Sequence, residues 1–302
     1  MTTARGGMVD ITEPDYPTAH TRADEFSLAG QRRTVWGASA RLQISVAATA
    51  LLALAPLWPS HVGHREVEFV GLAAAAFFLA AFAIELRRVK VRPERDWYDG
   101  RAVAESTKTL VWRYVAGGQP YPIGADADEA FRRDVENLGT DVPALRRAVA
   151  DGNAPTAWMV DVRSLPFDAR RDVYLQDRVT DQETWYADKA AYNHSRTRIW
   201  TGVLLLAEAA GVVLALIRSL TIIDIDLAPI AAAVIASGVA WMALRQHESV
   251  GAAYSLASKE LGSVRTKLSA VTREEEWATA VAEAEEAISR EHTMWRVARS
   301  ES

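Results

Sequence analysis

The chain has 302 residues, a net charge of −5 and no cysteine, and 49% of its residues are hydrophobic. The mild charge gives no support for a nucleic-acid partner, and the lack of cysteine excludes disulfides, thiolate metal sites and a cysteine nucleophile. The mean hydropathy of −0.05 would suit a soluble protein, but it averages very apolar stretches with long segments rich in charge. The local profile therefore decides the class of the protein.

A polar N-terminal segment, 1–30, precedes the first of four apolar stretches. It lacks the basic and then apolar regions of a signal peptide, so we expect no cleaved leader. A spanning helix needs about 20 mainly apolar residues to cross about 30 Å of hydrocarbon. Stretches of this kind lie at 42–58, 67–86, 199–217 and 222–244. The alternative is the buried helices of a soluble bundle; it suits the short first stretch best and suits 69–84, which has no polar side chain, least.

Basic residues flank the same side of all four stretches. The loops within the two hairpins hold only Arg65 and Arg218. Because basic residues stay on the cytoplasmic side, we expect both termini and the middle segment to be cytoplasmic, in the inner (plasma) membrane. The flanking basic residues are Arg32, Arg33, Arg41, Arg87, Arg88, Lys90, Arg92, Arg95, Arg196, Arg198 and Arg245.

The elements follow one another in a duplicated order. Each half has a lead-in helix, a two-span hairpin and a trailing cytoplasmic helix, and the similar segments 32–37 and 196–202 enter the two hairpins. We predict an all-α membrane protein whose four transmembrane helices form two hairpins, with long cytoplasmic helices in a helical bundle or coiled coil. The predicted parts are the polar segment, a first hairpin unit (31–118), a helical connector (119–165) and a second hairpin unit (166–302).

The connector and its neighbours show helix and loop signals. A helix over 96–116 is predicted to end at Gly117 and Gly118. Asp126 can cap a short helix with Glu129, and a further helix lies between Pro143 and Gly152. The stretch 152–164, with Trp158, is predicted to be a loop. From Pro166 onward, one long helix is predicted to run into the third span.

After the fourth span, apolar residues alternate four and three apart, which is typical of a heptad seam. Thr272 and Glu275 restart the helix, and a second seam continues from Trp277 to Trp295. The last thirty residues carry eight Glu, which we interpret as a solvated face. The seams can pack within the protomer or between protomers. The first seam comprises Val250, Tyr254, Ala257, Leu261, Val264, Leu268 and Val271, and the second comprises Trp277, Val281, Ala284, Ile288 and Trp295.

The sequence predicts no enzyme, no cofactor and no metal. It has no P-loop, no dinucleotide fingerprint and no His-Glu-x-x-His. His61 and His64 lie three apart in an outer loop without a third ligand. Asp126, Asp128 and Glu129 lack the glycine and the distal glutamate of a calcium loop.

Glu208 is a polar residue near the middle of the third apolar stretch. A carboxylate at the bilayer centre is unfavourable unless it faces a bundle interior or a water-filled path. One interpretation is that Glu208 lines a pore or gate formed by several subunits. The other is a protonated side chain that hydrogen-bonds to Ser45, Thr49 or Ser237.

Aromatic and basic residues share two cytoplasmic helices. Such faces can hold a nucleotide base and its phosphate, but packing between helices with pairs such as Arg101 and Glu105 is the favoured account. The candidate residues for ligand binding or packing are Trp97, Tyr98, Arg101, Glu105, Lys108 and Trp112 in the first helix, and Trp185, Tyr186, Lys189 and Asn193 in the second.

Three segments resemble the SLATT family, the SMODS- and SLOG-associated transmembrane effectors. They are 97–114, 171–190 and 288–295, and the resemblance covers about 24–299 in the form with two fused hairpin units. It implies a membrane effector of bacterial conflict or antiphage systems that is not enzymatic and forms pores. The implied partners are the lipid bilayer, further copies of the chain in a homo-oligomer, and a nucleotide signal or a sensor protein. A non-conducting scaffold or ligand sensor that signals through its cytoplasmic helices is the alternative function.

Overall fold

The computed structural model describes residues 14–300, with gaps at 56–60, 63–64, 67–68, 125, 141, 147–148, 150–152 and 222–224. Side chains at 61–66 and beyond 289 lie outside the described part. His64 and Gly152, both singled out from the sequence, fall in these gaps, and the helix predicted between Pro143 and Gly152 is described only in part.

The chain folds into two compact units. The first, here called the arm unit, contains the described parts of 1–30, 95–188 and 254–302. The second, here called the membrane unit, contains Gln31–Glu94 and Lys189–Ala253. Each unit is therefore assembled from both halves of the sequence, because each long helix begins or ends in the other unit.

Helices make up nearly all of the described chain. In order they are α1 (Thr18–Leu54), α2 (Phe69–Val91), α3 (Pro93–Ala116), α4 (Asp128–Leu138), α5 (Ala157–Arg163), α6 (Phe167–Val173), a π-helical segment (Tyr174–Thr180), α7 (Asp181–Ser219), α8 (Ala228–Arg245), α9 (His247–Ser269) and α10 (Glu274–Ser300). A pair of two-residue strands, β1 (His61–Val62) and β2 (Arg65–Glu66), lies between α1 and α2. This short antiparallel hairpin was not predicted.

Each of the four predicted apolar stretches overlaps, over most of its described residues, a helix that is long and apolar enough to cross a membrane. The prediction of an all-α membrane protein with four candidate spans is therefore confirmed. The spanning parts, at about 42–54, 69–86, 199–217 and 228–244, continue into more polar helical extensions or stop at sharp breaks. Arg92 and Gln246 adopt left-handed backbone at φ 48° and 49°, and these residues separate α2 from α3 and α8 from α9.

The core of the arm unit is aromatic. Trp112 and Trp277 are fully buried, and Tyr174 contacts both rings edge-on at centroid distances of 6.0 and 5.6 Å. Edge-to-face pairs of this kind stabilise a core beyond the area they bury. Both predicted seams contribute to burial within the protomer: Ala257, Leu261, Leu268, Trp277, Val281, Ala284 and Ile288 are buried. Of the two packing alternatives, the structure thus shows the internal one.

Two local predictions were wrong. Trp158 does not lie in a loop but in α5, where it is 7% exposed. The hydroxyl of Thr156 accepts a hydrogen bond from the amide of Met159 at 3.4 Å and caps that helix, a start signal that the sequence reasoning missed. Asp126 does not cap α4, which begins at Asp128 without a side-chain cap.

Candidate functional site

A buried ion pair joins the π segment to α10. The Arg178 guanidinium donates from Nε to Glu285 Oε1 at 2.8 Å and from Nη2 to Glu285 Oε2 at 2.7 Å. The Tyr174 hydroxyl donates to the same Oε1 at 3.0 Å. The two charged side chains are 1% and 0% exposed. Burial acts to lower the pKa of Arg178, but the charge of Glu285 and its hydrogen bonds outweigh this and raise it above its usual value, so Arg178 stays charged.

The π segment brings three side chains to the core at once. Tyr174, Arg178 and Val179 are all buried. In an α-helix, residues five apart lie about 140° apart around the axis, so Tyr174 and Val179 would not face the same core. A helix bonded between residues i and i+5 has more residues per turn, which brings such residues closer to one face. The wider winding is therefore what allows both to be buried beside Arg178.

The chain at Tyr16 packs over the same core. Its hydroxyl accepts a hydrogen bond from Trp112 Nε1 at 3.0 Å, and its ring stacks on His20 with centroids 4.5 Å apart. Lys108 Nζ lies 6.0 Å from the centroid of the Tyr16 ring. Burial, and then the charge of Arg178, lower the pKa of Lys108, while burial raises that of Tyr16. The polar groups around the ion pair thus form one coupled electrostatic cluster.

Side chains from three other helices close the C-terminal end of α3. The carbonyl of Ala116 accepts hydrogen bonds from Trp277 Nε1 at 3.0 Å and from Arg170 Nε at 3.2 Å. Arg170 is itself paired with Glu274, and Arg163 Nη1 donates to the carbonyl of Tyr114. These bonds satisfy carbonyls that a helix end leaves without partners. They also hold the beginning of α10 in place, so that Glu285 is presented to Arg178.

Glu208 occupies a different environment. It lies on the exposed surface of the membrane unit, ten residues from both Arg198 and Arg218 along a continuous helix, or about 15 Å from each. The Ser45 and Thr49 hydroxyls donate to carbonyls of their own helix at 2.9 and 3.0 Å, and within the described residues no hydrogen bond joins Glu208 to Ser45, Thr49 or Ser237. Both interpretations of Glu208 stay predictions.

Another carboxylate of the membrane unit provides a contrast. Glu85, at the end of α2, accepts a hydrogen bond from Arg41 at 2.8 Å and pairs with Arg88 at 3.5 Å. Glu85 is thus neutralised by basic residues near the membrane surface. Glu208 is presented at mid-span among exposed apolar side chains, such as Leu205 and Val212 at 61% and 60% exposure.

The aromatic and basic residues singled out from the sequence are found in several packing environments. Trp97 and Tyr98 stack on each other at 5.2 Å, Arg101 pairs with Glu105 at 3.5 Å, and Trp112 belongs to the main core. Tyr186 lies in a second buried cluster that includes Ala257, Leu261 and Ile288, with Trp185 and Tyr254 packed against it. Lys189 begins the part of α7 that belongs to the membrane unit.

Sequence reasoning missed the Arg178–Glu285 pair. Glu285 was counted among the solvated glutamates of the C-terminal helix, but it is fully buried. Its position carried a signal, because it lies four residues after Val281 and three before Ile288 and so belongs to the seam. A charged residue in a seam predicts a buried partner.

Two family models match the chain in tandem and confirm the resemblance drawn from the sequence. Residues 17–171 match the model described as SMODS and SLOG-associating 2TM effector domain 3, and residues 174–295 match SMODS and SLOG-associating 2TM effector domain 1. No curated protein and no solved structure matches the chain. The second match begins at Tyr174, the first residue of the π segment.

Proposed function

The chain belongs to the SLATT family of two-span membrane effector domains, here two in tandem, and from this we propose that it permeabilises the membrane as a homo-oligomer after a cytoplasmic signal. In this proposal it acts in a bacterial conflict or antiphage system and is not an enzyme. The protein lies in the inner (plasma) membrane with both termini on the cytoplasmic side. The signal is a nucleotide or a sensor protein that acts on the arm unit.

The exposure of Glu208 carries the proposal. A carboxylate at mid-span that faces lipid is unfavourable by several kcal/mol, and such residues in membrane proteins face other helices or water. In the part of the chain that the structure describes, Glu208 is exposed on α7 and is not covered by another helix. Further copies of the chain would cover this face and place a ring of Glu208 side chains around a shared path. Ala215, two helical turns after Glu208, is small and exposed on the same face, and Ala209 is small and exposed next to that face, so helices of two copies can approach closely.

Ion flux from liposomes that contain the full-length protein tests the proposal. Flux is measured with and without cyclic nucleotides for the native chain and for Glu208→Gln and Glu208→Leu. We expect Glu208→Leu to abolish flux and Glu208→Gln to reduce its preference for cations. Glu85→Gln is the matched control, since it makes the same chemical change at a paired carboxylate and should leave ion preference unchanged.

Assembly is tested separately by cross-linking. The chain has no cysteine, so a single introduced cysteine can be followed without background. Ala209→Cys should form disulfide-linked dimers in the membrane, whereas a cysteine in place of the buried Ala74 of α2 should not. If the protein neither conducts nor cross-links at position 209, the non-conducting scaffold or sensor is the better account.

A further inference from the structure

We propose that the Arg178–Glu285 pair is a latch. While the ion pair is formed, it keeps residues 174–180 in their π winding. When the ion pair breaks, this segment rewinds to α-helix and thereby turns the span that carries Glu208. The consequence at Glu208 rests on the proposed function. The latch itself, with its winding change, concerns the arm unit and α7 and is tested without measuring flux.

The closed state of the latch depends on a single partner of Arg178, namely Glu285. Arg178 uses Nε and Nη2, which lie on one edge of the guanidinium, to hold Glu285. Nη1 lies on the other edge and has no hydrogen-bond partner in the described part of the chain. A buried guanidinium that loses its counter-charge is strongly unfavourable. Movement of α10 that withdraws Glu285 therefore also displaces Arg178 from the core.

The π winding of residues 174–180 depends on the latch. The π segment is the less favourable way to wind a helix, and π turns in proteins are found mostly at functional positions. Here the burial of Tyr174 and Val179 together with Arg178 supports it, and Tyr174 also donates to Glu285. When Arg178 leaves the core and that hydrogen bond is lost, α-helical winding becomes the favoured state.

A change in the winding of the π segment is transmitted along α7. The π segment passes into α7 without a break, and α7 continues to Ser219 through Glu208. A π turn accommodates about one extra residue, so rewinding turns the downstream helix by on the order of 100°. Downstream of the segment, Arg265 pairs with Glu183 at 2.9 Å and Tyr254 packs on Trp185 at 5.4 Å. These contacts join α7 to α9, so the turn requires α9 to shift or the contacts to break.

The distance between two introduced spin labels reports the turn. One label is placed at Glu136 in α4, upstream of the segment, and one at Asp188 in α7, downstream; both positions are exposed in the arm unit and the chain has no other cysteine. Opening of the latch by Glu285→Gln should shift the label distance by roughly 5 to 8 Å, because side chains lie about 5 Å from a helix axis. The control is Glu129→Gln, which breaks the exposed pair with Arg132 and should leave the distance unchanged.

Deletion of Gln176 separates a latch from an ion pair that only stabilises the fold. Gln176 is exposed, and without it Tyr174 and Val179 are four apart, so an α-helix buries both with the two ends of the segment in their present register. We expect the deletion to keep the native label distance, and Glu285→Gln to cause no shift in that background. Tyr174→Phe, which retains the ring and removes one hydrogen bond, should give a smaller shift in the same direction as Glu285→Gln.

The outcomes distinguish the two proposals. A distance shift in Glu285→Gln that the deletion suppresses supports the latch even if no liposome conducts, in which case only the pore proposal fails. An unchanged distance in folded Glu285→Gln and Tyr174→Phe proteins overturns the latch whatever the flux. A shift of equal size with and without Gln176 also overturns it, because rewinding would then not be the cause. If both proposals hold, Glu285→Gln should raise the ion flux measured without added nucleotide by about tenfold or more, as expected when a minor state becomes the major one.

Discussion

Neutralising one member of the buried pair should destabilise the arm unit far more than neutralising both. Glu285→Gln leaves the Arg178 guanidinium without a counter-charge at a site where the residue is 2% exposed. Removing one partner of a buried ion pair costs about 3–5 kcal/mol, and we expect a loss of that order in the free energy of unfolding. Tyr174→Phe removes only one hydrogen bond to a charged acceptor, which contributes about 1.5–3 kcal/mol.

The double variant Arg178→Met with Glu285→Met should be much closer to the native stability. Replacing a buried pair with apolar side chains of similar volume is often neutral or stabilising, since the desolvation of two charges is no longer required. Because the single changes leave an uncompensated charge and the double change does not, the double-mutant cycle should give a coupling free energy of about 3 kcal/mol or more.

Urea unfolding of the full-length protein in detergent micelles measures these values. Tryptophan fluorescence reports on the relevant core, because Trp112, Trp158 and Trp277 are all buried in the arm unit. Glu129→Gln breaks an exposed pair and should change stability by less than about 0.5 kcal/mol. Additive losses in the double variant would refute the reasoning, because they would mean that each side chain contributes independently of the other's charge.

Two further predictions concern packing and pH. Gly100→Ala should destabilise the protein by about 1–3 kcal/mol in the same assay, because a Cβ there would lie 2.7 Å from the amide nitrogen of Ser27. Gly202→Ala, where no atom lies within 4 Å, should be neutral or stabilising, and equal losses at both positions would contradict this account. Burial, and then the charge of Lys108, lower the pKa of His20, so the unfolded chain takes up a proton that the folded chain resists as the pH falls below about 6.5. Stability should therefore fall between pH 7.5 and 5.5, and by less in His20→Gln; an identical pH dependence in the two proteins would show that His20 does not contribute.

The parts of the fold that the sequence predicted correctly are those with a strong periodic or compositional signal. The span 69–84 has no polar side chain, and few structures other than a spanning helix accommodate such a run. The seam residues Leu261, Leu268 and Val281 recur at helical spacing, and all three are buried. Loop and helix predictions failed where the signal was short, as at Trp158, whose seven-residue helix depends on a single threonine cap.

The candidate site was only partly predictable, for a physical reason. Glu208 is conspicuous because its neighbours are apolar, so its local sequence suffices to identify it. Arg178 and Glu285 lie 107 residues apart, and each has charged neighbours that resemble a solvated surface. The π segment also disrupts the regular period that would have marked Arg178 as buried, since Tyr174 and Val179 are five residues apart.

Arg178 of the buried ion pair and Glu208 lie in the same run of helix. An apolar pair in place of Arg178 and Glu285 would avoid the desolvation of two charges, and an apolar residue in place of Glu208 would suit lipid better. Between these positions the chain is helical without interruption, from the π segment through α7. A rigid helix transmits a change in winding at one end as a rotation at the other, and such a rotation matters only if the far end has one distinctive face. Glu208 provides that face, so in the proposed mechanism the π segment and the carboxylate act through one continuous helix.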